Sequence, residues 1–392
     1  MNYTLFDSDA RANLLPFTHT RPVADIRCGI LTMRERWEML LSSGTHSLTE
    51  PYLQEAFPAG WDNDTTYING AVFGTRELAT AINHLAADTV LAKDNLIIAA
   101  RTTFDPAILQ SLISHISTMP ATQYEGDIKA LNNNWDIFSL NDHAIRLDFE
   151  LLTEGKKSAP VPEGVTVSGI NDLFIEEGAN VYAGCIINAT TGPVYIGKDV
   201  EVLEGTLMRG PIALCEHSVV KMGAKVYGAT TIGPGCKVGG EINNVVFFAN
   251  SNKAHDGYLG NAVIGEWCNL GADTNCSNLK NDYGTVKVWH ESSNKEVNSG
   301  LTFCGLMMGD HSKCGINTMF NTGTVVGVSC NIYGGGFPNK YIPSFSWGGS
   351  DGFTEYRFEK AMETANRMMG RRGKTLSEGE LQLYKHIYNN KK

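Results

Sequence analysis

Between Ile196 and Val238 an apolar side chain falls on every sixth residue: Ile196, Val202, Met208, Leu214, Val220, Val226, Ile232 and Val238. That period fits neither a lone helix nor a lone strand. Fixed-period self-similarity marks a stacked repeat, in which each unit buries its apolar face against the next. Glycine follows the apolar residue at Ile196-Gly197, Ile232-Gly233, Val238-Gly239, Ile264-Gly265, Leu270-Gly271, Met308-Gly309, Cys314-Gly315 and Val326-Gly327. Glycine tolerates the positive φ of a sharp corner. One short strand and one corner per repeat, three repeats per coil, give a triangular parallel β-helix.

The rhythm extends in both directions. Ile175, Val181 and Ile187 precede a shift at Thr191-Gly192-Pro193; Tyr258, Ile264, Leu270 and Cys276 resume it, and Met308, Cys314, Phe320, Val326 and Ile332 complete it. Interruptions at 244–257 and 280–301 are expected to be loops projecting from one face, where solenoids often carry function. The 41 glycines suit this reading, and a formal charge of −10 argues against a nucleic-acid surface. The nine cysteines are scattered, odd in number and without a C-x-x-C pair, which reads as buried reduced thiols in a cytoplasmic protein. No signal peptide or membrane-spanning apolar run is read. No His/Cys/Asp cluster has zinc-ligand spacing, so the metal requirement stays unknown from the residues alone.

Residues 1–160 lack the rhythm. Candidate strands (Tyr3–Phe6, Thr66–Ile68, Asn95–Ala99) alternate with helical spacings (Ile30–Leu41, Thr75–Ala87, Pro106–Ile116). That alternation predicts an α/β domain with a mainly parallel sheet, whose ligands dock in the loop after the first strand. Pro160-Val161-Pro162 reads as a linker, residues 161–350 as the β-helix and 351–392 as a helical extension. In that extension Phe358, Met362, Ala365 and Met369 share a helical face, and Ser377-Glu378-Gly379-Glu380 has capping-box spacing.

Leu14-x-Pro16-x-Thr18-x-Thr20-Arg21-Pro22 resembles the tail of the sugar-phosphate nucleotidyltransferase loop, whose usual form is G-x-G-T-R, L-x-P-L-T, R-P-K-P. The glycine-rich head is missing, since no glycine lies between Met1 and Cys28; Asn13 and Val23 replace the family arginine and lysine. Arg11, Arg21 and Arg27 are the candidates to supply phosphate charge instead. A second stretch, Val238-Gly239-Gly240-Glu241 to Asn252-Lys253-Ala254-His255-Asp256-Gly257-Tyr258-Leu259-Gly260, then Asn269-Leu270-Gly271-Ala272 and Cys276-Ser277-Asn278, resembles the acetyltransferase half of the GlmU-like bifunctional family. Those enzymes are glucosamine-1-phosphate acetyltransferases and N-acetylglucosamine-1-phosphate uridylyltransferases. The resemblance implies a left-handed β-helix, a homotrimer, acetyl-CoA as co-substrate, a nucleoside triphosphate with Mg²⁺ for the other domain, and a sugar phosphate passing between the two steps.

Carried over residue by residue, the resemblance makes His255 the catalytic base and Glu241 its helper. Lys253, Tyr258, Asn269 and Asn278 become substrate contacts, with Asn243 where the family has a substrate lysine and Leu279 where it has a tyrosine. An ammonium acceptor must lose a proton before attacking a thioester, and imidazole suits that task near neutral pH. Two other readings stay open: an acyltransferase on a different sugar acceptor with a non-catalytic sugar-nucleotide-binding amino-terminal domain, or a non-enzymatic solenoid scaffold.

Overall fold

The computed structural model describes residues 2–60, 64–106 and 108–391. They form two compact units: one holds the residues up to Ile26, Leu31–Asn133 and Ser377–His386, the other Arg27–Ile30, Asn134–Leu376 and the residues from Ile387 on. The stretch ahead of the Pro160–Pro162 segment, from Asn134, thus groups with the solenoid.

In the first unit, β1 (Asn2–Phe6), β2 (His46–Leu48), β3 (Thr65–Asn69), β4 (Thr89–Lys93), β5 (Leu96–Thr102) and β6 (Ala121–Gln123) form one sheet in the order β2-β1-β3-β5-β4-β6. The pairs β1–β2, β1–β3 and β4–β6 are parallel, whereas β3–β5 and β4–β5 are antiparallel. The sheet is therefore mixed. Asp94-Asn95 joins β4 to β5, with Asp94 at φ +52; a connection so short can only reverse the chain, because a parallel neighbour needs a crossover. Alternation along β1 sends Tyr3 and Leu5 to one layer with Trp37, Ile68, Leu78 and Ile82, and Phe6 to the other with Leu48, Tyr67, Leu112 and Ile116. The helices α1 (Met33–Leu41), α2 (Arg76–Asn83) and α3 (Leu109–Ile116) supply those partners; Thr32 and Glu35 close a capping box on α1. Ala107, inside the stretch expected as a helix from Pro106, lies outside the described residues.

The second unit is a left-handed parallel β-helix with three faces. Strands such as Lys225–Tyr227 and Glu241–Asn243 stack on the first face, Thr230–Ile232 and Val245–Phe247 on the second, Lys237–Val238 and Asn252–Lys253 on the third. On the second face Ile196 pairs with Leu214 and Leu214 with Ile232, 18 residues per coil. All eight members of the six-residue series from Ile196 to Val238 lie in one buried cluster. Nine free cysteines are buried, several inside the same core. The expected loop at 244–257 is not a loop. It is a coil shortened to 15 residues, since Ile232 pairs near Phe247 and Val238 pairs with Lys253. The second interruption is a true excursion, an antiparallel hairpin of Lys287–His290 and Lys295–Asn298, with Trp289 stacked on Tyr341 at 4.9 Å.

Both ends of the stack are covered. Residues 158–165 cap the first coil: Ala159 N–H donates to the Ile175 carbonyl at 2.8 Å, and Ala159, Val161 and Val165 pack on the core. At the other end Ser346–Gly349 pairs parallel with Asn331–Ile332 but antiparallel with Gly352–Glu355. Two helices, α4 (Asp136–Ser139) and α5 (Asn141–Thr153), follow the sheet domain; Ile145, Phe149 and Leu152 of α5 cover Phe174, Tyr195 and Ala213 on the second face. In the extension, α6 (Phe358–Gly370) buries Ala361, Met362, Ala365 and Met369, and α7 (Glu378–Asn390) begins at a capping box of Ser377 and Glu380. Among the described residues no helix is long and apolar enough to cross a membrane.

Leu214 is wholly buried in the coil core and Ile186 is 47% exposed. Leu214→Ala is expected to cost about 2–5 kcal/mol in denaturant unfolding, and Ile186→Ala no more than about 0.5 kcal/mol.

Candidate active site on the solenoid

The shortened coil sets the site. Because it removes residues between the first-face strands as well, Lys225 pairs with Glu241 and Tyr227 with Asn243, and the next coil sets Tyr258 on Glu241 and Gly260 on Asn243. The six-residue count placed Tyr258 in the core. The structure gives that place to Leu259, which pairs with the buried Ile242, and period-two alternation turns Tyr258 outward.

Two hydrogen-bonded pairs form on this face. Tyr227 donates its hydroxyl to Glu241 Oε1 at 2.6 Å. The bond to that carboxylate and then burial push the Tyr227 phenol up to about 12. Asn278 donates Nδ2 to the Tyr258 hydroxyl at 2.9 Å and to Asn261 Oδ1 at 2.8 Å. The Tyr258 N–H is held by Asn275 Oδ1 at 2.8 Å. Gly260 makes this possible, because a Cβ there would meet the Tyr258 hydroxyl and lie 2.7 Å from Asn278 Nδ2.

His255 is exposed and lies on the corner that leads into Tyr258. Beneath it is Gly240 at φ +74, whose added Cβ would sit 2.7 Å from the Gly257 carbonyl oxygen and 3.0 Å from that of His255. The Glu241 N–H donates to Gly257 O at 3.2 Å, so the carboxylate and the imidazole belong to successive coils at one corner. An exposed imidazole on the corner between strands that carry a carboxylate and a phenol can take a proton, and the phenol and carboxamide can hold hydroxyls.

Lys253 is placed differently from the substrate contact expected of it. It occupies the interior position of the column Val202, Val220, Val238, is 1% exposed, and donates from Nζ to the carbonyls of His255 at 2.7 Å, Asp256 at 3.0 Å and Gly239 at 3.4 Å. Burial brings its ammonium down to about 8, against the nearby Asp256, Cys314 and Asp273. Asn269 lies on the third face, 3.5 Å from Asn252, and not with the Glu241–Tyr258 group. Asn243 is on the site face, beside the tight turn at Gly228. Tyr227, Asn261 and Asn275 had no signal in the six-residue rhythm; only the register of the short coil reveals them.

In the sheet domain the loop after β1 folds as three 3₁₀ segments, Asp9–Leu14, Phe17–His19 and Val23–Asp25. Its Leu14, Phe17, Thr18, Thr20 and Arg21 are buried. Several of its N–H groups are used internally, as in Arg11 to Ser8 O, His19 to Pro16 O and Val23 to Asp7 Oδ1. Arg11 donates to the Tyr52 hydroxyl at 2.7 Å and pairs with Asp7 at 3.6 Å. Arg27 belongs to the solenoid unit instead, where it donates to the Ile30 carbonyl. Among the described residues no three His, Cys, Asp or Glu side chains converge on a metal site.

Residues 3–157 match the sugar nucleotidyl transferase family. A bifunctional sugar-1-phosphate nucleotidylyltransferase/acetyltransferase of Sulfurisphaera tokodaii is 28% identical over 261 residues, 67% of this chain and 58% of that one. A Bifunctional protein GlmU of Methanocaldococcus jannaschii is 31% identical over 199 residues, 50% of this chain and 41% of that one. The chain spans about half the length of the curated relatives it matches. The solved polySia-specific acetyltransferase NeuO is 14% identical and covers 53% of this chain and 93% of its own, with a TM-score of 0.30, too low to bear on the fold or site.

A lysine whose folded pKa is about 8 sheds its proton before an unfolded one at 10.5. The unfolded chain binds more protons in that window, so stability rises with pH there. Lys313, also brought down to about 8 by burial, adds to the rise. The buried cysteines, which burial holds above the usual thiol value, act in the opposite sense once the pH passes about 8.5. The lysine contribution is therefore expected in urea unfolding between pH 7 and about 8.5, as a steeper rise in wild type than in Lys253→Met.

Proposed function

We propose that this chain, a GlmU-like relative of the bifunctional sugar-1-phosphate nucleotidylyltransferases/acetyltransferases, transfers an acetyl group from acetyl-CoA to the amine of an amino-sugar phosphate, with glucosamine-1-phosphate as first choice. The observation that supports the reading is that exposed His255 lies on the corner leading into Tyr258, which stacks on Glu241 of the coil before and is hydrogen-bonded to Asn278. His255 takes a proton from the acceptor ammonium. The freed amine attacks the thioester carbonyl; the tetrahedral intermediate collapses with cleavage of the C–S bond, and the proton lost by nitrogen goes to the departing thiolate. Glu241, fixed by Tyr227, orients the acceptor; Asn278 and Tyr258 bind its polar groups.

The sheet domain acts on or binds the sugar nucleotide, in keeping with its family match. With no glycine in the loop after β1 and several of its N–H groups used internally, side chains rather than a glycine-rich backbone cradle would meet the phosphates. A nucleoside triphosphate would bring Mg²⁺ with it; the described residues offer no converged ligand set, so no step is routed through a metal. Assembly as a homotrimer belongs to the same reading. It is supported by Ile186, Leu207 and Met319, which point outward from the first face at 47%, 44% and 36% exposure.

With acetyl-CoA and glucosamine-1-phosphate, wild type is expected to release CoA thiol, and His255→Ala to fall by about 10²–10⁴-fold with its circular dichroism unchanged. Equal release by both proteins would rule out the base. Tyr227→Phe, which loses one hydrogen bond to a carboxylate, is expected to lower kcat/KM by roughly tenfold. Pyrophosphate release from UTP and N-acetylglucosamine-1-phosphate is expected from the sheet domain; its absence would leave that domain as a binding module.

A further inference from the structure

The column of interior side chains on the third face runs Val181, Val202, Val220, Val238, then Lys253, then Leu270, Cys314 and Ile332. Seven of the eight are apolar. A solenoid core has no packing use for an ammonium, and a buried cation costs free energy unless its donors are met. All three of the carbonyls that Lys253 reaches lie at one corner. His255 and Asp256 form the turn itself, and Gly239 is the residue stacked under Ala254. The Gly239-Gly240 pair leaves room for those carbonyls to approach, since a Cβ on Gly239 would lie 2.6 Å from Ala254 O. The shortening to 15 residues brings the lysine into register with Val238.

From these contacts we infer that Lys253 is a positioning residue for His255: from inside the coil, its ammonium ties down the carbonyls of the turn that presents the imidazole. This rests on the reading of His255 as the base. It assigns Lys253 no contact with the acceptor's phosphate, because its three donors are directed to the backbone. The carboxylates of Asp256 and Asp273 favour the charged form, and the Cys314 thiol, which burial keeps protonated, faces it as a neutral group. The flexible stem fills the space of an aliphatic residue while the head spans the corner, a combination that neither arginine, with its larger planar fork, nor methionine, with no donors, can reproduce.

The test compares the full chain as wild type, Lys253→Met and Lys253→Gln by amide hydrogen exchange of residues 254–258 and by steady-state CoA release. In Lys253→Met, exchange at the turn is expected to rise at least about tenfold while the core coils stay protected. The kcat is expected to fall about tenfold or more, with the KM for glucosamine-1-phosphate within about twofold, because a loosened turn misplaces the base and spares the binding groups. Lys253→Gln keeps two of the three N–H donors on a shorter, uncharged side chain and is expected to fall between, and it carries the test if the methionine variant does not fold. A raised KM with unchanged kcat would make Lys253 a substrate contact and overturn the proposal, as would unchanged exchange at the turn. If His255→Ala proves as active as wild type, the base assignment fails on its own evidence. The exchange result would still report whether Lys253 holds the turn, and the catalytic consequence inferred here would be lost.

Discussion

Coil-to-coil hydrogen bonding in register is the interaction on which the solenoid depends. Each strand of two or three residues is too short to persist alone; it is ordered because N–H and C=O groups point along the stack to the coils on either side. A glycine, or a residue willing to take positive φ, recurs at the corners, as at His217, Gly235, Asn250, Trp267, His311 and Ser329. Their N–H groups continue the stack through the bends: Gly235 donates to Glu216 O, Asn250 to Pro234 O, Trp267 to Ala249 O and His311 to Glu266 O. Side chains are thereby indexed. A residue's place in its coil decides whether it is core, face or corner, and a change in coil length re-indexes everything that follows locally.

The site is such a re-indexing. Three residues fewer between Val238 and Lys253 than in the preceding coils keep the aliphatic column full but give one interior place to a lysine. On the first face the coil is shorter by two residues, which sets Tyr227 level with Asn243, where its hydroxyl reaches Glu241. Glu241 and Tyr258 then need no loop to carry them, because they stand on strands whose backbone the neighbouring coils already hold, and only the tight corner between coils carries His255. Such placement on a rigid scaffold suits a reaction that depends on orientation.

Much of this was legible in the residues and some was not. The six-residue rhythm located the solenoid and its core, because burial of one residue in six is a composition signal that survives any side-chain detail. The motif from Gly239 to Gly260 pointed to His255. The rhythm failed where its assumption of constant coil length failed. Tyr258 was counted as core and 244–257 as a projecting loop, since spacing alone cannot tell a shorter coil from an insertion. The resemblance makes Lys253 a substrate contact, whereas its partners in the structure are backbone carbonyls, which carry no sequence signature. In the sheet domain, the strands at Thr65–Asn69 and Leu96–Thr102 followed from β-branched and apolar runs, but the two-residue turn at Asp94-Asn95 and its antiparallel pairing were missed.

The antiparallel strand at the far end of the stack has a consequence for the molecule among its own copies. A parallel β-helix is a template: its last coil shows the unsatisfied edge that the previous coil showed before it was covered, and nothing in the repeat itself says when to stop. Here Gly352–Glu355 runs against the stack's direction on the final third-face strand, and residues 158–165 lie across the first coil. A second molecule arriving end-on would have to pair with a strand of the wrong polarity at one end and displace a covering segment at the other. On the third face the chain thus ends its own template, and end-to-end growth of that sheet from copy to copy is blocked by polarity.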